Sequence, residues 1–506
     1  MTIAAYCSLY IGNNICIISG KEREMIVMKF GGSSVADASR LRHVAEIVKT
    51  QLLRKPVLVL SAMGDTTDHL LEAGDTALKE GKVQIKHVEK LHLDTMKSLK
   101  LTSKNEIGDL MNELSRLLSG IALIRELTPR TRDFLVSFGE RLSVRIAASY
   151  LKSIKINAKA FDAWEMGFLS NSNFTHAELL KESWELIPAK IQQQVKGNVL
   201  PVVTGFLAKD ERGNITTLGR GGSDLSATMI AAACMAEEVQ VWKDVDRILT
   251  ADPRIVKNAR PVNHVTYEEA SELAYFGAQV LHPRAMQPCM KTGTPVLVKN
   301  SYNTEAPGTR IGHAAAGQKK GASVPTAKLP AVRAITAKQK VTLIDIVSTR
   351  MLGQYGFLAE VFSIFSKYNI SVDMVATSEV SVSLTLDNAY DLTDVKRELN
   401  RIASVEIKTG NAIISIIGNV KRSSEILARA FRICQLIGVP VQMVSQGASK
   451  VNVSFIVSDD EAEEVIKALH MDFFDSQEIT RRRADDAKET HTGGNRVGGT
   501  ASSGVS

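Results

Sequence analysis

The sequence predicts an α/β protein with a mainly parallel sheet, followed by two small β-α-β-β domains in tandem. Two observations predict this class. Short apolar runs alternate with longer helical stretches from Met25 onward, and the C-terminal third contains an internal repeat. The length of 506 residues leaves room for two or three domains, and 44% apolar with 23% charged residues is typical of a globular protein.

Buried strands are expected in the first part of the chain, where short apolar runs precede turn-forming or polar residues. They are 26–30, 57–61, 199–206, 239–243 and 295–300. In open α/β sheets ligands bind at the carboxyl ends of the strands, so the residues after these runs are the first candidates for chemistry. A stretch at 304–329, rich in Gly, Ala, Pro and Lys, is typical of a linker.

The internal repeat consists of residues 356–386 and 425–457. Each copy has a helix, a short strand ending in Met-Val, a polar turn and an alternating strand, and an alternating strand precedes it. Aligned pairs are Phe362 with Phe431, Met374 with Met443, and Val382 with Val453. Units of this kind leave a strand edge free, so we expect the copies to pair with one another or across a dimer.

Composition excludes several functional classes. The net charge of +7 comes without a basic stripe interleaved with aromatic residues, so nucleic acid is not an expected partner. A run of about 18 apolar residues, which a membrane span needs, is missing. Five scattered cysteines without a CxxC pair argue against a zinc site or disulfide framework and favour a reducing compartment. Residues 1–24 form an extension unlike a secretory signal, and residues 476–506 are expected to be a disordered tail.

The segment "VMKFGGSSVAD" has the features of a phosphate-binding turn. It places Lys29 on a strand, then two glycines and two serines, then a helix beginning near Val35. Glycines let the backbone approach a phosphate, a helix N-terminus offers free N–H groups, and the lysine adds a charge. The lysine precedes the glycines, so this is not a Walker A loop. The alternative is a strand-to-helix turn with a surface lysine.

The segment "GRGGSDLSAT" combines three glycines with opposite charges at Arg220 and Asp224. A site for phosphate alone gains nothing from a carboxylate, whereas a zwitterionic ligand suits both groups. The guanidinium would hold a carboxylate, and the aspartate would attract an ammonium group or orient a nearby lysine. The alternative is an Arg220–Asp224 ion pair that caps the helix.

Three further segments follow predicted strands or lie on helices. Ser61 and Thr67 stand near a helix start, where hydroxyl groups often serve only as caps. Glu140 follows a glycine on an amphipathic helix beside Arg141, and a solvated ion pair is the alternative there. The segment 241–254 lacks EF-hand spacing, so its aspartates are interpreted as part of a nucleotide loop with Lys243 and Arg254 available to phosphates.

Together these motifs resemble the aspartokinase family. The segments "VMKFGGSSV", "VSFGERLS", "TTLGRGGSDLSAT", "VWKDVDRILTADPR" and "ELAYFGAQVLHP", with the tandem repeat, follow in family order over about residues 25–475 and are most similar to the monofunctional plant-type, lysine-sensitive enzymes. The resemblance implies an amino-acid-kinase three-layer sandwich with a mainly parallel sheet, at 25–320. It also implies two ferredoxin-like ACT domains (β-α-β-β-α-β), at 335–410 and 411–475.

The resemblance implies transfer of the ATP γ-phosphoryl group to the side-chain carboxylate of L-aspartate, the first step toward lysine, threonine, methionine and isoleucine. Lys29 and Asp224 would be catalytic, and Mg²⁺ would be held mainly by the ATP phosphates rather than by protein side chains. ATP contacts would come from Lys29, Gly32, Ser33, Lys243, Asp244 and Arg254. Contacts to aspartate would come from Ser61, Thr67, Glu140, Arg220 and Asp224.

The resemblance also implies feedback inhibition by lysine and a homodimer through the ACT domains, with a tetramer as the alternative. The effector positions would be Met351, Ser371, Val372, Asp373, Thr377, Ser378 and Glu379. The sequence departs from many relatives at Gln279, where they have lysine, and it lacks a tryptophan found in some plant relatives that respond to S-adenosylmethionine. The expected compartment is the cytosol, or the plastid stroma for a plant-encoded protein.

Two rival functions remain open at this point. One is an amino acid kinase acting on another carboxylate substrate, on carbamate or on a nucleotide monophosphate. The other is an ACT-based amino-acid sensor with a decayed kinase domain. A bifunctional kinase with a dehydrogenase half is not expected, because no GxGxxG follows the second repeat.

Overall fold

The computed structural model divides into two units. It describes residues 25–101, 105–244, 246–275, 281–313, 331–348, 355–387, 390–418, 422–446 and 451–475. The first unit takes its described residues from Met1–Arg247 and Leu281–Gly317, and the second from Ile248–Val280 and Gln318–Ser506. Residues 248–275 therefore group with the second unit although they lie within the predicted range 25–320. The predicted extension (1–24), the predicted tail (476–506) and Gln279 lie outside the described residues.

The first unit contains a mainly parallel sheet. In spatial order its strands are β3 (Ala158–Phe161), β5 (Leu200–Thr204), β2 (Val57–Leu60), β1 (Ile26–Phe30), β8 (Glu238–Lys243), β10 (Val296–Asn300) and β11 (Thr309–Ile311). Neighbouring strands are parallel except for the β10–β11 pair. All five strands predicted from the apolar runs are present, which confirms the parallel α/β class.

Helices surround this sheet. They are α1 (Ala38–Gln51), α2 (Thr66–Glu80), α3 (Lys86–Ser98), α4 (Asn105–Ile124), α5 (Pro129–Ser153), α6 (Ser183–Lys196), α7 (Gly222–Ala233) and α9 (Pro283–Thr292). A short 3-10 helix at Gly32–Val35 precedes α1, so the α-helix begins at Ala38 and not near Val35 as predicted. The side chain of Asp37 caps α1 by accepting a hydrogen bond from the Arg40 N–H.

The central strand β1 separates two helical layers. Ile26, Met28 and Phe30 share one apolar core with residues of α1 to α5. Alternate residues of a strand point to opposite faces, so Lys29 points to the other face, where α7 packs against β1. Since β1 lies between β2 and β8, Lys29 stands near the carboxyl end of the middle of the sheet. The result is the predicted three-layer sandwich.

A small second sheet flanks the carboxyl end of this arrangement. Its strands are β4 (Leu169–Ser170), β6 (Leu207–Asp210) and β7 (Ile215–Thr217), with β6 and β7 antiparallel. Strand β7 ends two residues before Gly219, so it leads directly into the glycine-rich turn that precedes α7.

The second unit is built on one antiparallel sheet. The spatial order is β13 (Met374–Thr377), β14 (Ser381–Asp387), β12 (Val332–Val347), β15 (Ser404–Gly418), β17 (Asn452–Ser458) and β16 (Met443–Ser445). Other elements are β9 (His264–Val265), α8 (Tyr267–Tyr275), α10 (Phe357–Lys367), α11 (Thr393–Leu399), α12 (Ser423–Leu436) and α13 (Ala462–His470).

The internal repeat is confirmed residue by residue. Met374 and Met443 are the first residues of β13 and β16, and Val382 and Val453 are the second residues of β14 and β17. Each copy therefore has the same helix, short strand and longer strand in the same order.

The two copies share one sheet through their long strands. The first half of β12 pairs with the second half of β15, and the second half of β12 pairs with β14 and with the first half of β15. Strand β15 thus runs across the predicted domain boundary between residues 410 and 411. At the two edges of the sheet, Met374 and Met443 belong to one apolar cluster with Ile413 and Ile456. The domain boundaries themselves stay a prediction.

No described helix in either unit is at once long enough and apolar enough to span a bilayer.

Candidate active site

A cleft of about 790 Å³ opens in the first unit beside the carboxyl ends of β1, β2 and β5. It brings together residues that are far apart in the sequence. Those predicted to contact ATP or aspartate that line it are Lys29, Gly32, Ser61, Thr67, Glu140, Arg220 and Asp224. The position agrees with the rule that ligands of α/β sheets bind at the carboxyl ends of the strands.

An ion pair lies at the centre of the cleft. The Lys29 Nζ is 2.7 Å from the Asp224 Oδ1, and these side chains are only 10% and 9% exposed. The Lys243 Nζ, at the end of β8, lies 3.9 Å from the other carboxylate oxygen. The described ion pairs of Asp224 are thus with two lysines, and the predicted alternative, an Arg220–Asp224 pair, is not among them.

The charges of the cleft act on one another. Burial works to raise the pKa of Asp224, but the Lys29 and Lys243 ammonium groups outweigh it and hold that pKa below its ordinary value. Burial lowers the pKa of Lys243, and the Lys29 charge adds to this while Asp224 opposes it. The carboxylate is therefore ionised and shared between two cations, which concentrates positive charge where an anionic group can approach.

Two glycines let the backbone turns come close together. Gly221 has a φ of 74°, which side chains rarely adopt, and a Cβ there would lie 2.6 Å from the Cβ of His282. Gly32 packs under the turn after β2, where a Cβ would lie 3.0 Å from the Ala62 carbonyl oxygen. The Gly64 N–H donates a hydrogen bond to the Gly32 carbonyl, so the two turns are linked at the cleft.

Glu140 is a buried carboxyl group on α5. Its Oε1 accepts a hydrogen bond from the Ala62 N–H at 3.2 Å, and among the described residues its Oε2 has no hydrogen-bond partner. Burial raises the pKa of Glu140 to about 8, although that hydrogen bond and the charge of Lys29 oppose the rise. The alternative, a solvated pair with Arg141, is wrong, because Arg141 pairs with Glu113 and Asp162 instead.

The residues predicted for ATP occupy different places. Ser33 is exposed on the 3-10 helix after Lys29, and Asp244 is exposed directly after Lys243. Arg254 belongs to the second unit, where its guanidinium pairs with Asp252 at 2.6 Å and is 85% exposed. Of the residues predicted for ATP, Lys29 and Lys243 therefore lie beside Asp224. Lys29 and Gly32 line the cleft.

The described effector positions lie together in the second unit, around β13. They are Ser371, Val372, Asp373, Thr377, Ser378 and Glu379, and Met351 lies outside the described residues. The Asp373 carboxylate already accepts from the Lys338 ammonium and the Tyr275 hydroxyl, each at 2.6 Å, and is 4% exposed. Ser378 bonds Ser381 at 2.7 Å, while Glu379 is exposed.

Sequence reasoning missed part of the cleft wall. Thr175, His176, Phe206 and Ser223 also line the cleft. Phe206 was predicted as the last residue of the strand 199–206, but the strand ends at Thr204, so Phe206 lies just after it. The loop with Thr175 and His176 belongs to no motif, and only tertiary contacts bring it to the cleft.

Comparisons with known proteins agree with this arrangement. The amino acid kinase family model matches residues 24–300, and an ACT domain model matches residues 344–401 and 414–473. The chain is 50% identical to aspartokinase 1, chloroplastic, of Arabidopsis thaliana, over 90% of this chain and 81% of the relative. It is 32% identical to the lysine-sensitive aspartokinase 3 of Escherichia coli, over 89% of this chain and all of that protein (100%).

Solved structures give the same result. The crystal structure of E. coli aspartokinase III in complex with aspartate and ADP (R-state) matches with a TM-score of 0.72 at 31% identity, covering 89% of this chain and 100% of that one. The crystal structure of the same enzyme with lysine and aspartate (T-state) also matches with a TM-score of 0.72 at 31% identity, and the match covers 89% of this chain and 100% of that one.

Proposed function

Because the chain belongs to the aspartokinase family, we propose that the cleft around Lys29 is where the γ-phosphoryl group of ATP passes to the side-chain carboxylate of L-aspartate. The products are 4-phospho-L-aspartate and ADP, which opens the biosynthesis of lysine, threonine, methionine and isoleucine. The observation that carries the proposal is the buried Lys29–Asp224 ion pair, in a cleft that Gly32, Arg220 and Glu140 also line.

Both substrates are anions, so positioning and charge neutralisation account for most of the catalysis. Lys29 supplies a fixed ammonium group at the point where the transferred phosphoryl group would lie. Gly32 and Ser33 begin a short helix, whose free N–H groups suit phosphate oxygens. Lys243 adds a second cation near the ion pair, and Asp244, which follows it directly, belongs to the proposed ATP contacts. The ATP contact predicted for Arg254 stays a prediction, because Arg254 belongs to the second unit.

The other end of the cleft suits an amino acid. Arg220 is exposed, and among the described residues it has no ion-pair partner, so its guanidinium can hold a carboxylate with two parallel hydrogen bonds. Glu140 has an oxygen without a hydrogen-bond partner among the described residues, and a substrate ammonium group would both use this oxygen and favour its ionised form. Ser61 and Thr67 also line the cleft, and their hydroxyl groups add hydrogen-bonding capacity.

The role of Asp224 follows from its partners. A carboxylate already held by Lys29 at 2.7 Å, with Lys243 at 3.9 Å, orients the two lysines. We therefore assign Asp224 to lysine orientation rather than to direct binding of the substrate ammonium group. This choice was open in the sequence.

We propose that Mg²⁺ arrives with ATP. The phosphates would hold the ion, which when bound neutralises part of their charge.

We further propose that lysine inhibits the enzyme through the second unit, by binding one conformation better than another. The exposed Glu379 is suited to the ammonium groups of a diamino acid, together with Met351, Ser371 and the polar groups at the end of β13. The same proposal includes a homodimer through the ACT domains. It also includes a plastid location, because the Arabidopsis relatives are named as chloroplastic proteins.

The proposal is tested by ADP release with different amino acids, with hydroxylamine trapping of the acyl phosphate. We expect product with L-aspartate and little with L-glutamate. A higher rate with another acceptor than with aspartate would overturn the substrate assignment.

A further inference from the structure

Asp133 is a buried carboxylate on α5 that belongs to none of the predicted sites. Its side chain accepts three hydrogen bonds, and the residue is only 1% exposed. The Oδ2 accepts from the N–H groups of Thr175 and Thr217, each at 2.9 Å, and the Oδ1 accepts from the Thr217 hydroxyl at 2.8 Å. A buried charge is costly unless such hydrogen bonds compensate it, so this cluster calls for a function.

The three hydrogen bonds tie two segments together at the cleft. Thr175 and its neighbour His176 line the cleft wall. Thr217 ends β7, three residues before Arg220, and its carbonyl oxygen accepts from the Ala177 N–H at 2.9 Å. One carboxylate thus connects the wall loop with the strand that delivers Arg220.

The wall loop needs this support because its backbone is strained. Thr175 has a φ of 70°, a left-handed conformation that β-branched residues rarely adopt. The loop also packs closely on the glycine-rich turn, since a Cβ at Gly219 would lie 2.8 Å from the His176 Nδ1. The Asp133 carboxylate accepts from the Thr175 N–H in this conformation, and together with the Ala177–Thr217 backbone hydrogen bond it holds the loop beside Gly219.

We propose that Asp133 is a positioning residue for the acceptor end of the cleft. Among the described residues, Asp133 makes no hydrogen bond with Lys29 or Asp224, the two residues of the ion pair. It acts by fixing the Thr175–His176 loop against the turn that carries Arg220. The inference rests on the proposed function, because it takes the Arg220 end as the place where the amino acid binds.

The first test is Asp133→Ala with both Michaelis constants measured. We expect the KM for L-aspartate to rise about tenfold or more, because displacements of about 1 Å in a site can cost up to about a hundredfold. The KM for ATP should stay within about twofold, since the Lys29 and Gly32 turn is held by other contacts.

Asp133→Asn serves as the conservative variant. Its amide oxygen can accept from both backbone N–H groups, and its NH₂ can donate to the Thr217 hydroxyl, which can rotate to accept. We expect it to restore the KM for aspartate to within about threefold of the wild type.

Asp210→Ala is the matched control. Asp210 is also buried and accepts hydrogen bonds from Ser172, Arg212 and Asn214, none of which lines the cleft. It should lower the melting temperature and leave both Michaelis constants unchanged. If Asp133→Ala behaves like this control, Asp133 is only structural and the inference is overturned. If Asp133→Ala does not fold, an Asp133→Asn variant that folds but raises the KM for aspartate about tenfold overturns the inference, because both backbone hydrogen bonds would remain. Failure of the proposed function would give a different result, because the wild type itself would then show no aspartate-dependent ADP release.

Discussion

Replacing Asp224 by asparagine tests the central ion pair of the cleft. The carboxamide keeps the shape of the side chain and removes its charge. It leaves the ammonium groups of Lys29 and Lys243 close together, at sites 2.7 and 3.9 Å from the former carboxylate, without a negative partner between them. The variant should therefore lose both stability and turnover.

The size of the effect follows from the burial of the pair. Unit charges separated by 2.7 Å attract by about 6 kcal/mol at an effective dielectric constant of about 20. Removing one partner of a buried pair costs about 3–5 kcal/mol, which lowers the melting temperature by about 3–5 °C in a chain of 506 residues that melts as a whole. Loss of lysine orientation should lower kcat by about a hundredfold or more.

The pH dependence of this loss has a definite sign. The pKa of Asp224 is lowered in the folded protein, so its contribution to stability is present above the unfolded pKa, about 3.9, and disappears as the pH falls through the folded value. The difference in unfolding free energy between wild type and variant should be constant from pH 6 to pH 8 and shrink below about pH 4.

The assay is aspartate-dependent ADP release with parallel thermal melts. Asp210→Asn is the control, because Asp210 is a buried carboxylate of the same unit with amide and hydroxyl partners. It should keep the wild-type kcat. A kcat for Asp224→Asn within about threefold of the wild type, with an unchanged melting temperature, would refute the role of the ion pair.

Three further predictions concern single side chains. Lys29→Ala should lower turnover at least about a hundredfold and still melt cooperatively, and normal turnover would remove Lys29 from the catalytic role. Burial raises the pKa of Glu140 to about 8, so between about pH 4.5 and 8 the folded protein keeps a proton that the unfolded chain has lost, and stability falls as the pH rises. Glu140→Gln removes that loss of stability, so the melting temperature of the variant should rise relative to that of the wild type from pH 5 to pH 8. A difference in melting temperature that stays constant over this range would contradict the burial of an acid there. Glu379→Ala should weaken lysine inhibition about tenfold while turnover without lysine stays within about threefold, and unchanged lysine sensitivity would end that assignment.

The strands of the parallel sheet could be predicted well from the sequence, because each strand is a property of its own short segment. The buried strand with Lys29 is an apolar run with one polar residue near its end, and the strand with Lys243 carries Val239, Val241 and Trp242 before its lysine. The repeat was also visible, since Met374 and Met443 recur at the same position of equivalent strands.

Contacts between segments that are distant in the chain could not be predicted from the sequence. Asp224 had two open roles, and the 2.7 Å contact with Lys29, which supports the proposed orientation of the lysine, could not be seen in the sequence. Asp133 could not be noticed, because two of its three partners are backbone N–H groups, which carry no sequence signal. The sharing of β12 and β15 by both repeat copies depends on strand register, which alternation within one strand does not determine.

The most direct test is ADP release from ATP with L-aspartate, measured for the wild type and Lys29→Ala, each with and without lysine. We expect aspartate-dependent release by the wild type, inhibition by lysine, and almost no release by the variant. Release that does not depend on aspartate, or a variant as active as the wild type, would contradict the assignment of the cleft.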